Sequence, residues 1–158
     1  IALMRSLQAW MQRAEVDMTI FFRRLSHLAP TLLNAPTDEA AAFQTLLAEA
    51  SYLPQPHPGT AVLLAWLPRY LARLRHEPAA PEATRRTMLG ANPKYVLRNY
   101  LAQNAIQAAE KGDLRYLETL LRVLQKPYDE QPAHEELAAR RPAWAWDLPG
   151  CATLSCSS

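Results

Sequence analysis

Cys151 and Cys156 are the chain's two thiols, and Cys156 stands near the carboxyl terminus in Ser155-Cys156-Ser157-Ser158. A catalytic thiolate needs a neighbouring base or cation to bring its pKa down from about 8.5. Thr153, Leu154, Ser155, Ser157 and Ser158 offer neither, and the terminal carboxylate disfavours the anion. Nucleophilic catalysis is therefore not expected of Cys156. A thiol on a Pro- and Gly-broken tail is still open to disulfide exchange and oxidation. Its partner could be Cys151 or a cysteine outside this chain, and an incidental thiol is the bland reading. Two cysteines do not make a secreted disulfide framework, so a reducing compartment is expected.

Other chemistries lack their parts. Phosphate binding takes clustered glycines ahead of a helix, and the four glycines (Gly59, Gly90, Gly112, Gly150) are scattered. A kinase set of Gly-rich loop, strand lysine, His-Arg-Asp and Asp-Phe-Gly is missing from these residues. His27, His57, His76 and His134 contain no pair at helical ligand spacing, and the two cysteines alone do not complete a zinc site. No catalytic, cofactor-binding or metal-ligating residue is expected here.

Lys94 and Arg98, interleaved with Tyr95 and Tyr100, have the residue types that bind single-stranded nucleic acid. The formal net charge is only +2, which favours a packed helix over a nucleic-acid face. Arg85-Arg86 and Arg140-Arg141 read as solvated faces or ion-pair partners. Asn99, Gln103 and Asn104 are more amide than a solvent face needs, and they are expected to hydrogen-bond backbone at a domain contact.

The elements that must position these groups are helices. No stretch alternates like a strand, and helix-period patterns are divided by prolines, so the chain is expected to be all-α. Leu3, Leu7, Trp10, Met11 and Ala14 form one stripe, continued with a shift near Asp17 by Met18, Phe21, Phe22 and Leu25 until Pro30. Thr37 and Asp38 cap a helix burying Phe43, Leu46, Leu47 and Ala50. Pro54 to Gly59 reads as a loop. Thr60 opens a helix with Leu63, Trp66, Leu67, Tyr70, Leu71 and Leu74 inward, kinked at Pro68. After a loop from His76 to Pro81, a short helix near 82–89 closes at Gly90.

Asn92 as cap and Pro93 as first helical residue predict a helix burying Leu97, Leu101, Ala105 and Ala108. Gly112 supplies its left-handed stop. Asp113 then caps a helix carrying Leu114, Leu117, Leu121 and Leu124 up to Pro127. So short a link predicts an antiparallel hairpin near 93–125. The expected organisation is a helical region over 1–126 and an extended, Pro-rich tail over 127–158, with one short helix near 133–140. Trp144, Trp146 and Leu148 are apolar enough to anchor that tail.

A length of 158 residues suits one domain, and 49% hydrophobic residues exclude disorder. No apolar run reaches the about 18 residues of a membrane span. Arg5, Gln8, Gln12 and Arg13 break any signal-peptide core. A start at Ile1 inside a helical pattern suggests a fragment of a longer protein.

The run from Asn92 to Ile106, then Ala109-Glu110-Lys111-Gly112-Asp113, Leu120-Leu121, Val123-Leu124 and Pro127, resembles the C-terminal region of the selenoprotein O/YdiU family. Ala139-Arg140-Arg141-Pro142 with Trp144, and the final Ser155-Cys156-Ser157-Ser158, resemble that family's tail. Weaker support comes from Asp17, Thr19, Phe21-Phe22-Arg23 and Leu25, and from Trp66-Leu67, Arg69-Tyr70 and Arg73-Leu74.

The resemblance implies a protein-kinase-like pseudokinase parent that acts as an adenylyltransferase. It would move AMP from ATP, or UMP from UTP, to Ser, Thr or Tyr hydroxyls of proteins with Mg²⁺ or Mn²⁺. The family's nucleotide and metal residues lie in its N-terminal portion and map to no position here. Cys156 matches the place of selenocysteine in animal members and of cysteine in most bacterial ones. That match implies redox control through a bond to a cysteine of the catalytic domain, with Cys151 as a local competitor.

The expected function is thus the C-terminal support of a protein adenylyltransferase, inactive alone. Its partners would be the N-terminal kinase-like domain and the parent's protein substrates, with neither nucleic acid nor membrane. An apolar face left uncovered would favour self-association. The alternative is a free-standing helical module that binds protein or RNA.

Overall fold

The computed structural model describes residues 2–34, 38–55 and 57–146. Among them every regular element is a helix, as expected, and the one backbone bridge joins Val16 to Ser51. The chain forms two compact units, Ile1–Asn92 and Pro93–Ser158.

The first unit holds α1 (Ala2–Arg13), α2 (Met18–Asn34), α3 (Glu39–Ala50), α4 (Pro58–Arg75) and α5 (Pro81–Ala91). Here α2 packs on α3 and α5, while α1 packs on α4. The apolar stripes meet in one core that includes Leu7, Trp10, Phe21, Leu25, Phe43, Leu47, Leu63, Leu67 and Leu71. Aromatic rings line up within it. Phe21 meets Phe43 edge-on at 6.1 Å, and Trp66 stacks on Tyr70 at 4.6 Å. Burial pushes the Tyr70 phenol up to about 12.

The expected shift near Asp17 is an elbow between α1 and α2. Glu15 takes a φ of 47°, and the Asp17 Oδ1 accepts the Ile20 N–H at 3.1 Å. The elbow is tied to the end of α3: Asp17 N–H donates to the Ala50 carbonyl at 2.9 Å, and Tyr52 N–H to that of Glu15 at 3.0 Å. The Tyr52 hydroxyl reaches Asp17 Oδ2 at 2.9 Å. Asp38 caps α3 as expected, accepting the Ala41 N–H at 3.0 Å, whereas Thr37 lies outside the described residues.

Three proline and glycine expectations are corrected. Pro30 does not stop α2, which runs on to Asn34 with Ala29, Pro30 and Leu32 buried. Their packing offsets the roughly 3 kcal/mol that a mid-helix proline costs. Pro58 and Gly59 are helical rather than loop, because a first helical position needs no N–H and a proline fits it. Gly90 lies inside α5, which ends one residue later at Ala91, with Asn92 as its C-cap.

The second unit holds α6 (Asn99–Glu110), α7 (Arg115–Leu124) and 3₁₀ turns at Pro132–Ala138 and Ala143–Ala145. Its core gathers Tyr95, Tyr100, Leu101, Ala105, Leu120, Val123, Leu137 and Ala145. The expected start of its first helix is wrong by six residues. Asn92 is the C-cap of α5, and Arg98 is the extended residue that precedes α6. Pro93 to Leu97 stays non-helical, and the N–H groups of Lys94 and Tyr95 both donate to the Pro127 carbonyl, at 2.8 and 3.1 Å.

Candidate functional site

The hairpin of α6 and α7 is the part of the chain whose sequence is most distinctive, and its turn explains the antiparallel geometry. Gly112 adopts a φ of +81°, a left-handed conformation in which a side chain would be strained. Gly112 N–H donates to Ala109 O and Asp113 N–H to Ala108 O, both at 2.9 Å, a Schellman closure of α6. Asp113 then accepts the Arg115 backbone N–H at 3.0 Å and its guanidinium at 2.7 Å. Those bonds to Arg115 hold the Asp113 carboxyl down to about 2.

One face of the hairpin is covered by residues from the two 3₁₀ turns. Leu137 and Ala145 are buried against Leu120 and Val123. Gln131 donates its amide to the Val123 and Lys126 carbonyls at 3.1 and 2.9 Å, satisfying the end of α7. The Tyr95 hydroxyl donates to Gln131 O at 2.9 Å. Lys94 pairs with Glu130 at 2.6 Å and with Glu135 at 2.5 Å. Burial alone would lower the Lys94 pKa, but these two carboxylates outweigh it and raise it.

Within residues 93–146 the other face is left open. Leu97, Ala102, Ala105, Ile106, Ala109, Leu117, Leu120, Leu121 and Leu124 line a groove of about 240 Å³ with no polar side chain. Leu97, Ile106, Leu114 and Leu121 are each half-exposed. Of the repeated leucines, Leu117 and Leu124 pack half-buried against the core beside the fully buried Leu120 and Val123, while Leu114 and Leu121 face outward. Leu97, expected inward, lies before the helix begins and is also outward.

The basic and aromatic residues of this region are not assembled into an exposed face. Tyr95, Arg98 and Tyr100 are buried, and Lys94 is engaged with its two glutamates. Asn99, Gln103 and Asn104 are half-buried along α6. Arg85 pairs with Glu82 at 3.0 Å, and the Arg141 guanidinium lies 3.6 Å over the Trp146 ring. Trp144 meets Tyr100 edge-on at 6.0 Å, anchoring the chain beyond α7 as its apolarity suggests. Cys151, Cys156 and Leu148 lie outside the described residues.

Among the described residues no three His, Cys, Asp or Glu side chains converge as metal ligands. No described helix is long and apolar enough to cross a membrane. Sequence reading missed Arg23, a buried cation whose Nη1 donates to Leu89 O at 3.2 Å and Asn92 O at 3.0 Å. Its position on a stripe of Phe21, Phe22 and Leu25 was the available signal.

No protein-family model matches the chain. Its sequence is nonetheless similar from end to end to curated bacterial proteins. It is 46% identical over 158 residues to the protein nucleotidyltransferase YdiU of Xanthomonas axonopodis pv. citri, covering all of this chain and 29% of that protein. It is 44% identical to the YdiU protein of Nitrosospira multiformis, over 99% of this chain and 31% of that protein. With the YdiU protein of Aromatoleum aromaticum it shares 44% identity, over 99% of this chain and 28% of that protein. The chain thus spans under a third of the length of each of these relatives.

Proposed function

Because the chain belongs along its whole length to the YdiU family of protein nucleotidyltransferases, we propose that it is the C-terminal helical part of such an enzyme. The observation that carries this reading is the pairing of end-to-end identity with coverage of only 29% of the relative. In this reading the helical region over 1–126 braces an N-terminal kinase-like portion, and the tail over 127–158 carries Cys156. That portion binds ATP with Mg²⁺ or Mn²⁺ and moves AMP, or UMP from UTP, onto Ser, Thr or Tyr hydroxyls of proteins in the bacterial cytoplasm. We assign nucleotide and metal to the remainder of the enzyme, because the family resemblance puts those residues in its N-terminal portion.

Cys156 is assigned the regulatory role implied by its match to the family's selenocysteine or cysteine position, with Cys151 as a local competitor. The redox step would begin with attack of the Cys156 thiolate on glutathione disulfide. A second protein thiol would then displace the bound glutathione. One protein disulfide forms, and two glutathione thiols leave with the two electrons and two protons.

A chimera tests both parts. In the Xanthomonas axonopodis relative, the matching 29% is replaced by this chain, and label transfer from ATP to protein is measured. The reading expects transfer by the chimera, with glutathione disulfide lowering it and Cys156→Ser removing that sensitivity. An inactive chimera beside an active parent would count against the support role. Undiminished sensitivity in the Cys156→Ser chimera would count against the thiol.

A further inference from the structure

We propose that the open face of the α6/α7 hairpin seats one amphipathic helix of the polypeptide that completes the YdiU-type enzyme. The inference rests on the proposed support role and names its contact surface.

Leu97, Ile106, Leu117, Leu121 and Leu124 border the groove, and every residue lining it is Leu, Ile or Ala. Leu97, Ile106 and Leu121 are each half-exposed, so the patch is neither core nor a scatter of single apolar residues. Water against this patch is unfavourable, and a partner that covers it recovers that free energy.

The opposite face explains why these residues are open. Leu137 and Ala145 already cover the other side of the hairpin, and Gln131 fastens their segment to the end of α7. The described part of the tail is thereby engaged away from the groove. More than two thirds of each relative lies outside the match, and that polypeptide is the partner the comparisons supply.

The groove's form selects a helix. Two antiparallel helices leave a furrow along their axes into which the ridges of a third helix fit. The 12 residues of α6 would run for about 18 Å at 1.5 Å per residue. That length matches three turns of an occupant presenting apolar side chains at i, i+3 or i+4, and i+7, the pattern of helix-in-groove recognition. An occupant with a charge on that face would lose hydration without gaining a partner.

Thiol labelling tests the seat. Cys151 and Cys156 are replaced by Ser in both the 158-residue chain and the chimera, and Leu121→Cys is introduced in each. Maleimide labelling rates are then compared, with far-UV circular dichroism checking that helix content is kept. Arg122→Cys, at the next position of α7, is the control. The thiol introduced at 121 should label at least tenfold more slowly in the chimera than in the chain alone, with the control changing little. An active chimera labelled at 121 as fast as the chain alone overturns this seat and leaves the support reading standing. An inactive chimera with equal rates overturns both. Protection in the chain alone that grows with its concentration would assign the face to a second copy and overturn the proposal.

Discussion

The Lys94 ammonium lies 2.6 Å from the Glu130 carboxylate, joining the segment that enters α6 to the segment that leaves α7. With Glu135 as a second partner, this lysine holds a loop that the backbone bonds to Pro127 begin to close. Lys94→Ala is expected to cost about 1 kcal/mol, because both glutamates remain half-exposed and hydrated. Chemical denaturation followed by Trp144 and Trp146 fluorescence reads the loss. The folded-state pKa of Lys94 is raised, so the tie is fully present below the unfolded value of about 10.4. It is lost as pH climbs through the folded value. Stability that fell instead between pH 6 and 8 would contradict this assignment.

The opposite sign applies at the hairpin turn. Asp113, held down to about 2 by hydrogen bonds from Arg115, contributes its stabilisation above the unfolded carboxylate value of about 3.9. That contribution fades as pH drops toward 2. Carbon-detected NMR titration should find Asp113 ionised at pH 3 in the native chain. In Arg115→Ala its midpoint should return toward about 3.9.

Arg23 tests how the end of α5 is held. Its guanidinium is buried and donates to the Leu89 and Asn92 carbonyls, groups that a helix end leaves without an intrahelical partner. Arg23→Met keeps much of the stem but abandons both carbonyls, so thermal unfolding should show a loss of about 2 kcal/mol. Arg23→Lys should recover only part of it, since a point charge does not reproduce the planar fork.

Two glycines should answer in opposite directions. At Gly90, inside α5, an added Cβ meets nothing within 4 Å, so Gly90→Ala should stabilise by about 0.5–1 kcal/mol. At Gly112 the space is equally open, but φ is +81°. Gly112→Ala should therefore cost about 1–2 kcal/mol through backbone strain alone. Equal effects at the two positions would show that the conformation of the turn is not what matters.

Apolar spacing made the helices of the first unit legible, and Phe43, Leu47, Leu63, Leu67 and Leu71 all lie in the core where that spacing places them. Proline was the weaker guide. Pro30 sits within α2, where it was expected to end the helix, because burial of its neighbours outweighs a local penalty, and no local rule weighs the two. Asn92-Pro93 carries a helix-start signature that is overridden by a distant acceptor, the Pro127 carbonyl, which holds the next residues extended.

The leucines of α7 show a different limit. Leu114, Leu117, Leu121 and Leu124 and the pair Leu120 and Val123 define overlapping apolar faces, and spacing alone does not say which face this chain fills by itself. Residues 127–146 fill one, while the other is lined by Leu117, Leu121 and Leu124 and is open. The end-to-end family likeness was readable from the run Asn92–Ile106 and its companions, whereas the groove needed three dimensions.

The most direct measurement is calorimetric titration of the purified 158-residue chain with ATP and Mg²⁺, run beside the active chimera under the same conditions. If the nucleotide chemistry belongs to the rest of the enzyme, the chimera binds and the isolated chain gives only heats of dilution. Metal-dependent binding of ATP by the isolated chain, at an affinity comparable to that of the chimera, would contradict that division.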